Sequence, residues 1–227
     1  TDGTNGYITS GTDGCFVNQS CYLNDTWMYD PVIDTWTAKA DWPVVGRYTA
    51  RATALGDTAF AGLGYYTFSG AGNIYKYSFS ADTWTNANWP YGVGYVPPMF
   101  TYNNEFYAGY PPISGSGNDW GLYKYSPSNG TWSQKVLKYG EPSRAYLNTV
   151  KGNEVYLFEY DYVYKIDLIK MKMIPIQPIY IPGDTSNEFS AGFAIGDQVY
   201  FSLLNLDYGA RRGNHFYQYD LAAPVCN

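Results

Sequence analysis

Trp36, Trp84 and Trp132 stand 48 residues apart, and each follows a tyrosine by seven positions. The three stretches read YDPVIDTWTAKADWP (29–43), YSFSADTWTNANWP (77–90) and YSPSNGTWSQKVLK (125–138). A period of this length marks stacked supersecondary units, none of which can bury its apolar face alone. The repeat therefore limits the chain to an array of similar units packed side by side.

Residues 47–90 show what one unit contains. RYTARATALGD alternates and ends on a Gly-Asp turn, and TAFAGLGYY follows as a second extended run. NIYKYSF alternates polar and aromatic side chains after the loop TFSGAG, and TWTNANW follows the turn SAD. Period-two alternation broken by tight turns predicts four short strands and no helix. Gly56-Asp57, Asn103-Asn104, Gly152-Asn153 and Gly196-Asp197 fall between first and second strands. Such pairs tolerate the positive φ that two-residue hairpins require.

The third strand recurs as DTWMYDP, NIYKYSF, GLYKYSP, YVYKIDL and HFYQYDL. Its aligned aromatics are Trp27, Tyr75, Tyr123, Tyr164 and Tyr217, spaced by 48, 48, 41 and 53 residues. The predicted fold is an all-β β-propeller of about five four-stranded antiparallel blades, near residues 1–42, 43–90, 91–139, 140–182 and 183–227. Packing each sheet on its neighbours leaves few exposed edges. The first unit begins near its second strand and the last stops at its third, which predicts part of a six- or seven-bladed ring. The alternative is an irregular five-bladed ring. The repeated Tyr29, Trp36, Tyr77, Trp84, Tyr125 and Trp132 are expected to be core.

The Tyr–Trp spacing, a second strand containing glycine and a period near 48 resemble kelch repeats, whose propellers are similar to the galactose-oxidase-type domain. The resemblance covers nearly the whole chain and is strongest in the first three units. The family's double glycine survives only in part, at AGLG (Gly62, Gly64), Gly11 and Gly109. The resemblance implies closure of the last blade by an N-terminal strand. It does not imply the copper radical chemistry of galactose oxidase, which needs more than the single His215 present here.

Composition narrows the function. The chain carries 26 tyrosines and a net charge of −6. It lacks the concentrated basic patch that phosphate binding demands, so no nucleic-acid partner is expected. No apolar run approaches the roughly 20 residues of a membrane-spanning helix, so no transmembrane segment is expected. Cys15 and Cys21 enclose five residues and read as a loop-stapling disulfide, which implies an oxidising compartment. Two free thiols are the alternative. Cys226 has no assigned partner, and the sequons at Asn18, Asn24 and Asn129 carry little weight in so Asn-rich a chain. With one histidine and no second cysteine pair, neither a metal site nor a cofactor is expected.

Propeller function resides in loops on a rigid scaffold. The long second-to-third-strand loops are placed at 12–24, 65–73, 110–120 and 205–214. The blade-to-blade segments WPVVGRY, WPYGVGY and YGEPSRAY put Arg47, Tyr95 and Arg144 in equivalent places at the start of a blade's first strand. Ligand-binding candidates are Arg47, Tyr65, Tyr66, Phe68, Tyr95, Tyr110, Arg144, Arg211 and His215. Arginine beside aromatics suits a carboxylate, a sugar or an acidic peptide; the alternative is that each arginine satisfies backbone carbonyls in its own loop. Asp13, Asp119, Glu141, Glu159, Asp161, Asp184 and Glu188 are carboxylates placed in loops, with no spacing that marks an acid/base pair. No catalytic residue is assigned.

These features predict a non-enzymatic, secreted, cell-surface or periplasmic propeller that binds a protein partner within a larger envelope or extracellular assembly. A lectin-like glycan-binding propeller is the second expectation. A carbohydrate-active enzyme of the sialic-acid mutarotase or lyase type is the third.

Overall fold

The computed structural model describes residues 1–13, 21–66, 69–91, 98–112, 120–137, 147–159, 162–178, 187–205 and 215–221. These residues form an all-β fold of the propeller class, five consecutive antiparallel blades. Blade one holds β1 (Gly6–Thr12), β2 (Tyr22–Asp30) and β3 (Thr35–Lys39). Blade two holds β4 (Arg51–Leu55) and β5 (Thr58–Gly62), a small inserted hairpin of β6 (Tyr65–Tyr66) and β7 (Ser69–Gly70), then β8 (Ile74–Ser78) and β9 (Thr83–Asn86). Blade three runs β10 (Met99–Tyr102), β11 (Glu105–Pro112), β12 (Trp120–Ser126) and β13 (Thr131–Leu137). Blade four runs β14 (Leu147–Lys151), β15 (Glu154–Glu159), β16 (Tyr162–Asp167) and β17 (Lys172–Pro178). Blade five holds β18 (Asn187–Ile195), β19 (Gln198–Asn205) and β20 (His215–Asp220). Blades one and five have three strands each, as expected of a first unit that begins near its second strand and a last unit that stops at its third. Blade four is a full four-stranded sheet without the repeated tryptophan.

The hairpin signals act as their chemistry requires. Gly56, Gly152 and Gly196 each adopt φ +57° at the first position of a two-residue turn. A glycine there accepts the left-handed angle without a Cβ clash. Asn103 and Asn104 are both left-handed, at 48° and 59°.

The described contacts fall into two compact units, Thr1–Tyr107 with Lys124–Ser133, and Ala108–Tyr123 with Gln134–Asn227. In the first unit, aromatic rings join consecutive blades. Phe60 of blade two stacks on Phe106 of blade three at 4.1 Å and 11°, and Tyr125 meets Phe60 edge-on at 5.5 Å. Tyr7 of blade one lies 4.6 Å from Phe79 of blade two. Each such pair contributes about 0.5–1.5 kcal/mol beyond area burial. In the second unit Phe158 meets Tyr219 edge-on at 5.7 Å, within a cluster of Tyr156, Val163, Val199 and Phe201.

The 48-residue period acquires a chemical meaning at the blade junctions. The Trp84 indole N–H donates to the Ala40 carbonyl of the preceding blade at 2.9 Å, and Trp132 donates to the Ala87 carbonyl at 2.8 Å. Trp42 and Trp89, two residues beyond those alanines, pack on Trp84 and Trp132 at 5.2 and 4.7 Å. Tyr77 and Tyr125 are buried as expected. The first pair departs from the expectation. Trp36 remains 52% exposed, and Tyr29 is half-buried.

A second repeat, absent from the sequence reading, links second to third strands. Glu105 accepts the Tyr107 hydroxyl and the Lys124 ammonium, each at 2.7 Å. Glu154 accepts Tyr156 and Lys165 at the same distances. In blade five the charged pair is replaced by neutral amides, with Gln218 donating to Gln198 at 2.7 Å.

Candidate functional site

The segment between β3 and β4 carries the first arginine singled out from the sequence. Trp42 is fully buried, its backbone N–H held by the Asn24 carbonyl at 2.7 Å, while the Asn24 amide donates to the Trp42 carbonyl at 3.3 Å. Arg47 is buried too, at 4% exposure, with its guanidinium carbon 5.5 Å from the centre of the Trp42 ring. One guanidinium nitrogen donates to the carbonyls of Leu63 and Asn73 at 3.2 and 3.3 Å, and the other donates to the Asn73 side-chain oxygen. Ser10 of blade one fastens the backbone on the other side, accepting the Arg47 N–H at 2.6 Å. Burial lowers the Arg47 pKa from its ordinary value. The guanidinium thus supports its own loops: its two terminal nitrogens donate to acceptors inside the fold, while its buried Nε has no partner among the described residues. Arg47 also precedes β4, which begins only at Arg51.

Above this anchor lies a column of tyrosines. Tyr48 and Tyr65 exchange backbone hydrogen bonds of 3.0 Å in both directions. Gly64 makes the approach possible: its φ is +81°, and a Cβ there would sit 2.7 Å from the Tyr48 carbonyl oxygen. The Tyr48 and Tyr65 rings stack at 5.5 Å and 20°, and Tyr22 continues the stack at 6.3 Å and 23°. Desolvation, helped by the nearby Tyr22, raises the Tyr48 pKa above the ordinary phenol value. Beside the column opens a cleft of about 640 Å³ lined by Tyr22, Asn24, Asp41, Trp42, Pro43 and Val45. Its rim includes the exposed Asp41 carboxylate and the partly exposed Val45. Tyr22 and Trp42 are buried in the cleft wall and Tyr48 and Tyr65 are half-buried, so the site offers partly covered tyrosine rings, one carboxylate and small apolar groups.

The other sequence candidates are distributed as follows. Tyr65 and Tyr66 form β6 and are half-buried, where the sequence had placed exposed loop aromatics. Tyr110 belongs to β11 and His215 opens β20 opposite Leu203, so both sit on strands where loops had been expected. Glu159 and Glu188 likewise belong to β15 and β18. Phe68, Tyr95, Arg144, Arg211 and Cys15 lie outside the described residues. Cys21 is described and buried. Sequence reasoning named none of Tyr22, Asn24, Asp41 and Tyr48 as ligand-binding candidates, although the loop it placed at 12–24 spans the first two, which the structure puts on β2. Tyr48 adjoins Arg47 and Asp41 adjoins the repeated Trp-Pro, so proximity to those landmarks was the available signal.

Among the described residues no three His, Cys, Asp or Glu side chains converge as a metal-binding group. No helix among them is long and apolar enough to cross a membrane. No protein-family model matches the chain, and no curated protein matches it in sequence.

Proposed function

We propose that this protein is a recognition module without catalytic activity, a secreted or cell-surface kelch-type propeller that binds a protein partner within a larger extracellular or envelope assembly. The observation that carries the reading is the Tyr22–Tyr48–Tyr65 column, pinned by paired backbone bonds above the buried Arg47. Tyrosine contributes large contact area at small entropic cost, and a face held rigid before binding loses less freedom on association. Aromatic side chains are enriched where interfaces concentrate their binding energy. The oxidising compartment rests on a Cys15–Cys21 disulfide. It is supported by the 3.0 Å bond from the Asp13 N–H to the Cys21 carbonyl, which draws the ends of that segment together.

Gentle native purification from the source, followed by mass spectrometry, tests both parts. The wild-type chain is expected to retain a protein in stoichiometric amount, and Tyr48→Ala to lose it with the fold intact. Alkylation without reduction is expected to label Cys226 alone. Recovery of a lone chain, or retention unaffected by Tyr48→Ala, rejects the protein-binding face; labelling of Cys15 and Cys21 rejects the disulfide.

Carbohydrate binding is the second reading. The cleft that sets the exposed Asp41 carboxylate beside the tyrosine column favours it, since sugars donate hydroxyls to carboxylates. Elution of the partner by a soluble sugar would select this reading over the first.

A further inference from the structure

We infer that blade one carries an open peptide clamp, formed by Tyr29, Asp34 and Trp36, that takes a small residue–Asx–Trp–Pro segment ending another β-blade. The inference is independent of the tyrosine face.

The filled version of the clamp is visible in blade two. Asp82 sits in a left-handed turn at φ 50° and accepts the Tyr77 hydroxyl at 2.6 Å. The same carboxylate oxygen accepts the Ala40 N–H at 2.8 Å, while Trp84 donates to the Ala40 carbonyl at 2.9 Å. One alanine peptide is thereby gripped at both its donor and its acceptor. The following Trp42 is buried between Trp84 at 5.2 Å and Tyr75 at 6.0 Å. Blade three repeats the indole half of the grip on Ala87 and Trp89; Gly130 stands where Asp82 stands in blade two, so no carboxylate arises there.

Blade one has the same parts already in place. Asp34 adopts φ 52° and accepts the Tyr29 hydroxyl at 2.7 Å. Trp36 packs on Tyr29 at 5.0 Å, as Trp84 packs on Tyr77 at 4.9 Å. Strand registers make the positions equivalent: Tyr29 pairs with Trp36, and Tyr77 with Trp84. In blade one, however, no backbone amide reaches Asp34 and no carbonyl reaches the Trp36 indole among the described residues. Trp27, the counterpart of Tyr75, is 37% exposed, and the turn between adds Val32 and Ile33 at 82% and 65%. The surface thus presents one free donor, one acceptor with capacity left, and two indoles at the register positions that Tyr75 and Trp84 hold around Trp42 in blade two.

The two filled clamps identify the occupant. Both take the sequence Ala-Asx-Trp-Pro, residues 40–43 and 87–90, from the end of a neighbouring blade. A second copy of these 227 residues is a poor source, because both of its segments are already held by its own Trp84 and Trp132. The occupant is therefore a separate blade that ends in this motif.

The test uses the 227-residue protein and an end-blocked peptide Thr-Ala-Lys-Ala-Asp-Trp-Pro, copying residues 37–43. The indole resonances are followed by NMR, with Trp36→Phe assigning the signal. A saturable shift of the Trp36 indole at about millimolar peptide is expected, with affinity about tenfold weaker in Asp34→Ala. Replacing the peptide's tryptophan by alanine is expected to abolish the shift. The remaining indole signals report that the variants stay folded. An unmoved Trp36 signal, or binding indifferent to Asp34→Ala and Trp36→Phe, overturns the proposal. So does a Trp36 shift that appears with rising protein concentration alone, which would make a second copy the occupant.

Discussion

Two aspartates in the same turn, Asp34 and Asp82, show how one side chain joins or fails to join two blades. Each holds a left-handed backbone, and each accepts a tyrosine hydroxyl. Only Asp82 also accepts a backbone N–H from the preceding blade. Removing the carboxylate therefore strips two bonds in one case and one in the other. Asp82→Ala is expected to destabilise by about 1.5–3 kcal/mol more than Asp34→Ala, the value of one hydrogen bond to a charged group. Asp82→Asn keeps an acceptor and is expected to cost less than Asp82→Ala. Urea unfolding midpoints compare the three, and equal losses for the two alanine variants would contradict the junction described. Little of this was legible beforehand. The sequence shows an aspartate two positions before each of the first two repeated tryptophans, but not that its carboxylate crosses to another blade. Arg47 is similar: its position was legible, while its guanidinium is held by Leu63 and Asn73, ten residues apart and brought together on either side of the inserted β6–β7 hairpin.

Strands and hairpins were the most legible part. Alternation and the Gly-Asp, Gly-Asn and Asn-Asn pairs place every first hairpin of blades two to five, because positive φ is a local demand met by local residues. The inserted β6–β7 hairpin was read as loop, since two-residue strands are too short to show a period. The Glu–Tyr–Lys groups on second and third strands were also missed, although NEFY and NEVY differ by one residue. They carry a pH dependence. Lys165, then Tyr156, lower the Glu154 pKa by donating to its carboxylate. A carboxyl lowered in the folded state binds fewer protons there than when unfolded. Its contribution is present above the unfolded value of about 4.3 and is lost as pH falls through the folded value. The pair is partly exposed, so that contribution is about 1 kcal/mol or less. Lys165→Met is expected to return the Glu154 titration toward the ordinary range and to flatten this part of the acid limb, leaving Glu105 unchanged. A carboxyl NMR titration in which Glu154 does not move would contradict the assignment.

Taken as a whole, the chain is an acidic, tyrosine-rich series of blades whose repeat is a docking period. The 48-residue interval was explained from the sequence as packing, and buried Tyr77 and Tyr125 bear that out. Packing alone does not explain why tryptophan recurs, since any large ring would fill the space. The indole N–H explains it, because it caps a carbonyl of the preceding blade that otherwise ends without a strand partner. The candidate site was only half legible, because its tyrosines come from segments far apart in sequence. Hydrogen exchange of the tryptophan indoles, read by NMR on the unmodified protein, bears on this docking period without perturbing it. Trp84 and Trp132 are expected to exchange slowly, as donors to carbonyls at the blade junctions, and Trp36 to exchange at nearly the rate of a free indole. Protection of Trp36 equal to that of Trp84, or fast exchange at Trp84 and Trp132, would contradict the account.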